Sequence, residues 1–483
     1  MRNLAWLVAV LAALAAPAPA PAQQQPLPDL GGTADGGLTP QLERRIGESL
    51  MRDLRFNPTY LDDAELADYL GTLGGRLAQS MPGARQDFEF FVMRDHTVNA
   101  FALPGGFVGV HTGLILNSDT ESELASVLGH EIAHVTQRHI ARLLAQQQQM
   151  QVPVLAALAA AILLSRTRPD LATGAAVAAQ GAAVQTQLSY SRDFEREADR
   201  VGLQALDAAG FEPRAMAGFF EKLQRANRIG DDGTVPGYLR THPLTTERIA
   251  DAQNKAAGLP YRQHLDSAEF RFARARLRAE QGDAREAVQH FESLLRDGRY
   301  ANEAAARYGL ATALLRARRA KEADAEIARL RKVGGVGPMV ETLAARIRQG
   351  AGDAAGATAL LATARARYPY SRPLLYAHIA SLDEAGRHQE ALAQLTEPLR
   401  QAPRDARLYK LQSKTYAALG KRALQHQAQA EVYALQGTLP AAIEQLQLAR
   451  TAGDGDFYQL SVVDARLKEL RAQHAAELKD AKR

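Results

Sequence analysis

The 483-residue sequence has 23% charged residues, no cysteine, and a formal net charge of only +4. Without cysteine there is no disulfide framework, no thiolate nucleophile or metal ligand, no cysteine-borne lipid anchor, and no iron–sulfur cluster or zinc finger. No dense basic block occurs, which argues against nucleic-acid binding, and the length leaves room for two or three domains.

The chain opens with Arg2, an apolar run from Leu4 to Ala16, and the small-residue segment Ala20-Pro21-Ala22. This is the layout of a secretory signal peptide (1–22), with cleavage expected after Ala22 and export of the mature chain. The apolar run is shorter than the roughly 20 residues a membrane span needs. Residues 23–37 are rich in Pro, Gly, Gln and Asp and read as a disordered lead-in.

From 38 to 260 the pattern predicts one mostly helical domain with a small antiparallel sheet. Helices are expected from Thr39-Pro40 to Leu54 and from Asp62 to about Gln79. Phe88, Phe90 and Val92 alternate with period two, and β patterning continues through 97–103 and 107–115 around Pro104-Gly105-Gly106. Ser118 and Asp119 then offer an N-cap for a helix running to about Leu144. The Ala-rich stretch 152–184 reads as a buried helical hairpin or, alternatively, as a mobile lid or lipid-touching surface, each half being too short to span a bilayer.

Within the helix expected at 118–144 lies His130-Glu131-Ile132-Ala133-His134. Residues i and i+4 share a helix face, so both imidazoles can bind one zinc ion while Glu131 faces the open coordination position. There Glu131 can accept a proton from water and pass it to a leaving amine. Leu124, Val127, Leu128 and Val135 form an apolar stripe around the motif, and two histidines and a glutamate are costly to bury there without a metal. Gln137 and Ile140 stand where a metzincin requires Gly and His, so that class is excluded; His139 is one position off and expected on the surface. Further on, Glu195 and Asp199 are again i and i+4. Glu195 would complete a His₂Glu site, and Asp199 would accept a hydrogen bond from the far nitrogen of a ligating histidine.

From Ala268 the composition turns to Ala, Leu, Arg and Glu. Gly282, Arg318, Gly352, Gly386 and Gly420 recur at intervals of 36, 34, 34 and 34 residues. Ala287, Ala323, Ala357 and Ala391 follow five positions later, and Phe291, Ile327, Leu361 and Leu395 four beyond those. Gly would start a tight interhelical turn, Ala would let two helices approach, and the large residue would fill the groove. This period resembles the tetratricopeptide repeat and implies an all-α solenoid over 264–483 with a protein-binding groove. Gln425 breaks the pattern; Gly437, Ala442 and Leu446 restore it, and a capping helix is expected near 462–470.

HExxH with a distant ExxxD resembles the HtpX-type gluzincin metallopeptidases, in particular the periplasmic branch that ends in tetratricopeptide repeats. The resemblance also covers the segment from Asn99 to Gly106 and Thr241-His242-Pro243 followed by Arg248. It implies one Zn²⁺ per chain. Asn99, Ala100, Phe101 and Ala102 would bind an extended substrate backbone, and His242 would sit beside the metal, as oxyanion stabiliser or as a latch on the open position. It implies a periplasmic endopeptidase that promotes assembly of outer-membrane β-barrel proteins and degrades misassembled ones. The repeats would dock the assembly machinery, and peripheral membrane contact stays open. The rival expectation is a chaperone or scaffold acting through its repeats, with proteolysis latched off.

Overall fold

Side-chain caps set where the first helices begin. The computed structural model describes residues 38–81, 83–84, 86–145, 192–229 and 237–480; the expected signal peptide, the lead-in and the 152–184 stretch lie outside them. Thr39 Oγ1 accepts from the Leu42 amide at the start of α1 (Pro40–Arg55), and Asp63 accepts from Glu65 and Leu66 at the start of α2 (Ala64–Gln79). Such a cap satisfies backbone donors that have no partner within the helix. Leu66, Leu70, Leu73 and Leu77 of α2 form one buried stripe.

Strands β1 (Tyr60–Leu61), β2 (Glu89–Met93), β3 (Ala100–Leu103) and β4 (Phe107–His111) form a sheet in the order β1-β2-β4-β3. The sheet is mixed rather than antiparallel. β3 and β4 make the expected antiparallel hairpin, with Gly105 and Gly106 at φ of 79° and 91° in its turn, but β2 and β4 run parallel from Glu89↔Phe107 to Met93↔His111. The cause is the connection through 94–99, which carries the chain past the β4 position before the hairpin folds back. β3 is left on the edge.

Beyond β4 come α3 (Thr112–Asn117) and α4 (Glu121–Thr136), capped by Thr120. The expected single helix to Leu144 is broken: Arg138 adopts a left-handed φ of 53°, and a new helix α5 runs over 139–145. Helix α6 covers 192–208, followed by α7 (Arg214–Ile229), α8 (Gly237–Thr241) and α9 (Thr246–Ala257). A single core joins α2, the sheet, α4, α6 and α7, and it includes Phe270, Ala273 and Leu277 from the first solenoid helix, α10 (Ala268–Glu280). No described helix is long and apolar enough to cross a membrane.

Helix pairs then stack to Thr451, closed by a 24-residue helix from Phe457 to Asp480. Gly282, Gly352, Gly386 and Gly420 all take positive φ at the turns, and Arg318 does so at 60°. The four alanines and four large residues of the repeat are buried. The solenoid folds back on α2. Arg276 is buried against Asp63 and Glu65, Thr342 bonds Glu65, and Arg407 Nη2 lies 2.7 Å from Asp62.

Candidate active site

Two helix backbones touch at the site. Gly129 of α4 faces Gly202 of α6 so closely that a Cβ on Gly202 would lie 3.1 Å from the Gly129 carbonyl carbon and the His130 nitrogen. This crossing brings the i, i+4 pair of α6, Glu195 and Asp199, onto the i, i+4 pair of α4, His130 and His134. Thr245 caps α9 by accepting from the Arg248 amide, which sets Arg248 in the first turn beside α6.

Four donors converge: His130, His134, Glu195 and His242 each offer an atom within 4.8 Å of the others, and among the described residues this is the group that could hold a metal. Nε2 of His130 and Nε2 of His134 are 2.9 Å apart, and each is 3.3 Å from a Glu195 oxygen. His242 Nδ1 is 3.0 Å from Glu195 Oε1 and 3.3 Å from His130 Nε2. Asp199 Oδ1 lies 3.0 Å from His130 Nδ1 on the far side of the ring. Arg248 grips Asp199 through two bonds of 2.7 and 2.8 Å, reaches Glu195 at 2.9 Å, and donates to the Pro243 carbonyl at 2.8 Å. Arg248 therefore ties both α6 carboxylates to the His242-Pro243 segment.

The electrostatics suit a cation. Burial disfavours charge on His130, yet the Glu195 and Asp199 carboxylates overcome it and push its pKa up to about 10. Burial pushes His134 down to about 3. Glu195 resists the same burial because His130, His134 and His242 hold its carboxyl well below the usual range. The carboxylates thus draw positive charge into a buried space lined by three imidazoles, and this donor set fits a divalent transition metal.

Glu131 is almost wholly buried, and among the described residues neither carboxylate oxygen makes a hydrogen bond of good geometry, although His242 Nε2 approaches one at 3.4 Å. Burial raises its pKa, with His242 and His130 opposing. Beside it a cleft of about 230 Å³ is lined by Phe101, Ala102, Leu103, Val135 and His242, among others. Ala100, Phe101 and Ala102 belong to edge strand β3; Asn99 precedes it, and its Oδ1 is buried without a partner among the described residues.

His139 is not on the surface. The left-handed Arg138 swings it back, and it is buried with Nδ1 2.8 Å from His134 Nδ1 and its ring stacked on Phe194 at 4.6 Å. Tyr238 was also missed: it is fully buried and stacks on His242 at 4.7 Å. No spacing rule points to either residue. The sequence signal for the helix crossing was Gly129 itself, an isolated glycine inside an apolar helix.

The profile of peptidase family M48 matches residues 65–256. The beta-barrel assembly-enhancing protease of Yersinia pestis is 32% identical over 450 residues, covering 93% of this chain and 92% of that one. The protein of that name from Escherichia coli K12 is 33% identical over 449 residues, covering 92% and 91%. A Vibrio cholerae protein given the same name provisionally is 39% identical over 267 residues, which span 55% of each chain. Among solved structures, YrrB, described as a TPR protein with an unusual peptide-binding site, matches with 18% identity and a TM-score of 0.29 over 38% of this chain and 93% of that one.

Proposed function

This chain belongs to peptidase family M48, and from that premise we propose that it is a zinc-dependent endopeptidase of the periplasm, acting in quality control of outer-membrane β-barrel proteins. The observation that carries the reading is the arrival of Glu195 on the paired imidazoles of His130 and His134, beside the buried Glu131.

His130, His134 and Glu195 would hold the metal, which when bound supplies a Lewis acid for the scissile carbonyl. Glu131 is the general base: its raised pKa favours taking a proton from the attacking water and returning it to the departing amine. Asp199 orients His130, and Arg248 holds Asp199 and Glu195 in place. The open edge of β3, from Asn99 through Ala102, would pair with an extended substrate backbone, which reads a peptide without demanding particular side chains. The solenoid would dock the client or the assembly machinery, a role supported by the names of the full-length relatives and by the use of repeat surfaces in binding.

His242 occupies the approach to both Glu195 and Glu131, which favours a closed resting form in which it latches the site. Purified protein should contain one zinc per chain and cleave casein. Glu131→Gln should keep the zinc and lose cleavage by about 10²–10⁴-fold; full activity in that variant would sink the mechanism. His242→Ala separates its two roles: faster casein cleavage supports the latch, and loss of cleavage assigns it to the oxyanion instead.

A further inference from the structure

His130 and His134 are supported differently. His130 turns its far nitrogen to a carboxylate, Asp199. His134 turns its far nitrogen to another imidazole, His139, at 2.8 Å between Nδ1 atoms. His139 Nε2 in turn lies 3.3 Å from Glu197 Oε2, and Arg142 Nη1 holds that same oxygen at 2.8 Å. Phe194 stacks flat on the His139 ring, 4.6 Å between centroids at 16°, and locks its plane. Glu195, Glu197 and Asp199 thus serve one site from a single stretch of α6.

We propose that His139 is a positioning residue for His134, the middle member of a His134–His139–Glu197 relay that fixes the tautomer of the second histidine ligand. The proton logic allows one arrangement. A metal on His134 Nε2 requires the proton on its Nδ1, and that proton can only go to an unprotonated His139 Nδ1. His139 then carries its own proton on Nε2 and donates it toward Glu197, whose negative charge is anchored by Arg142. Each imidazole is held in the tautomer that makes His134 a ready ligand, as a carboxylate does directly for His130. The left-handed turn at Arg138 is what aims His139 inward.

This inference rests on the metal-site reading above, and the test separates the two. Zinc affinity is measured for the full chain by competition with a chromophoric chelator, alongside the melting temperature of the metal-free protein. His139→Phe keeps the stack on Phe194 but removes the acceptor, and zinc affinity should fall about 10–100-fold. His139→Gln supplies an amide oxygen toward His134 and an amide donor toward Glu197, and should recover most of that loss. Equal affinity of His139→Phe and wild type would overturn the relay, as would a Gln variant as weak as Phe, which marks a packing role. Should the Phe variant not fold, Glu197→Gln decides: weaker zinc binding at unchanged metal-free stability supports the relay, and unchanged binding overturns it. A wild-type protein that takes up no zinc would instead refute the metal site, and the relay with it.

Discussion

In the solenoid, the residues that hold each unit together are close in sequence: Ala357, Leu361 and Ala364 sit on one helix and meet Leu374 of the next. At the metal cluster, the touching residues come from three segments, with His130 and His242 separated by 112 positions and His242 and Glu195 by 47. The first region is apolar and close-packed, so its stability comes from surface removed from water. The second collects three carboxylates (Glu131, Glu195 and Asp199), three imidazoles and a guanidinium out of water, where charges must be paired to be tolerated. Damage should therefore spread differently: a lost solenoid contact is local, whereas a lost charge at the site leaves its partners exposed to one another.

Three substitutions would sharpen or break this contrast. Arg248→Met strands Asp199 and Glu195 in the interior, and metal-free stability should drop by about 3–5 kcal/mol, read from the denaturant midpoint. A drop under about 1 kcal/mol would show that water enters the site and relieves the charges. Leu361→Ala should cost about 2–5 kcal/mol in the repeats while leaving casein cleavage near wild type. Impaired cleavage there would mean the two regions are coupled more tightly than packing alone requires. The smallest effect runs the other way. Arg318 occupies a left-handed turn position that glycine fills in the units on either side of it, so Arg318→Gly should stabilise the solenoid by about 1 kcal/mol.

The same contrast governs what could be read from the chain. Periodicity sufficed for the repeat: glycines at the turns, alanines at the close approach and large apolar residues in the groove are each a local requirement. The i, i+4 pairs His130/His134 and Glu195/Asp199 were legible for the same reason, since one helical turn sets which side chains share a face. What escaped was decided between segments. The parallel pairing of β2 with β4 depends on how the chain crosses over, which no strand pattern encodes. Arg248 and Asp199 are each marked as supports of the ligands, but their bidentate pairing bridges 49 positions and no local pattern announces it. A continuous helix would leave His139 on the surface, but a single arginine, Arg138, in a left-handed conformation turns the chain there. Left-handed arginines are uncommon, so nothing in the residue type announces the turn.

The contact between Gly129 and Gly202 carries a consequence for how this centre can change over time. At most helix crossings the spacing is a matter of side-chain size, and it drifts as one apolar residue replaces another. Here backbone rests on backbone one residue before the first histidine, so the separation of the histidine pair from its carboxylate has no adjustable part. Alterations in the surrounding core can accumulate without widening that gap; a side chain at Gly202 must open it by a few tenths of an ångström, whereas a Cβ at Gly129 would meet the Gly202 oxygen at an ordinary contact distance of 3.4 Å. The crossing works as a gauge block, insulating the chemistry from the slow turnover of the packing around it.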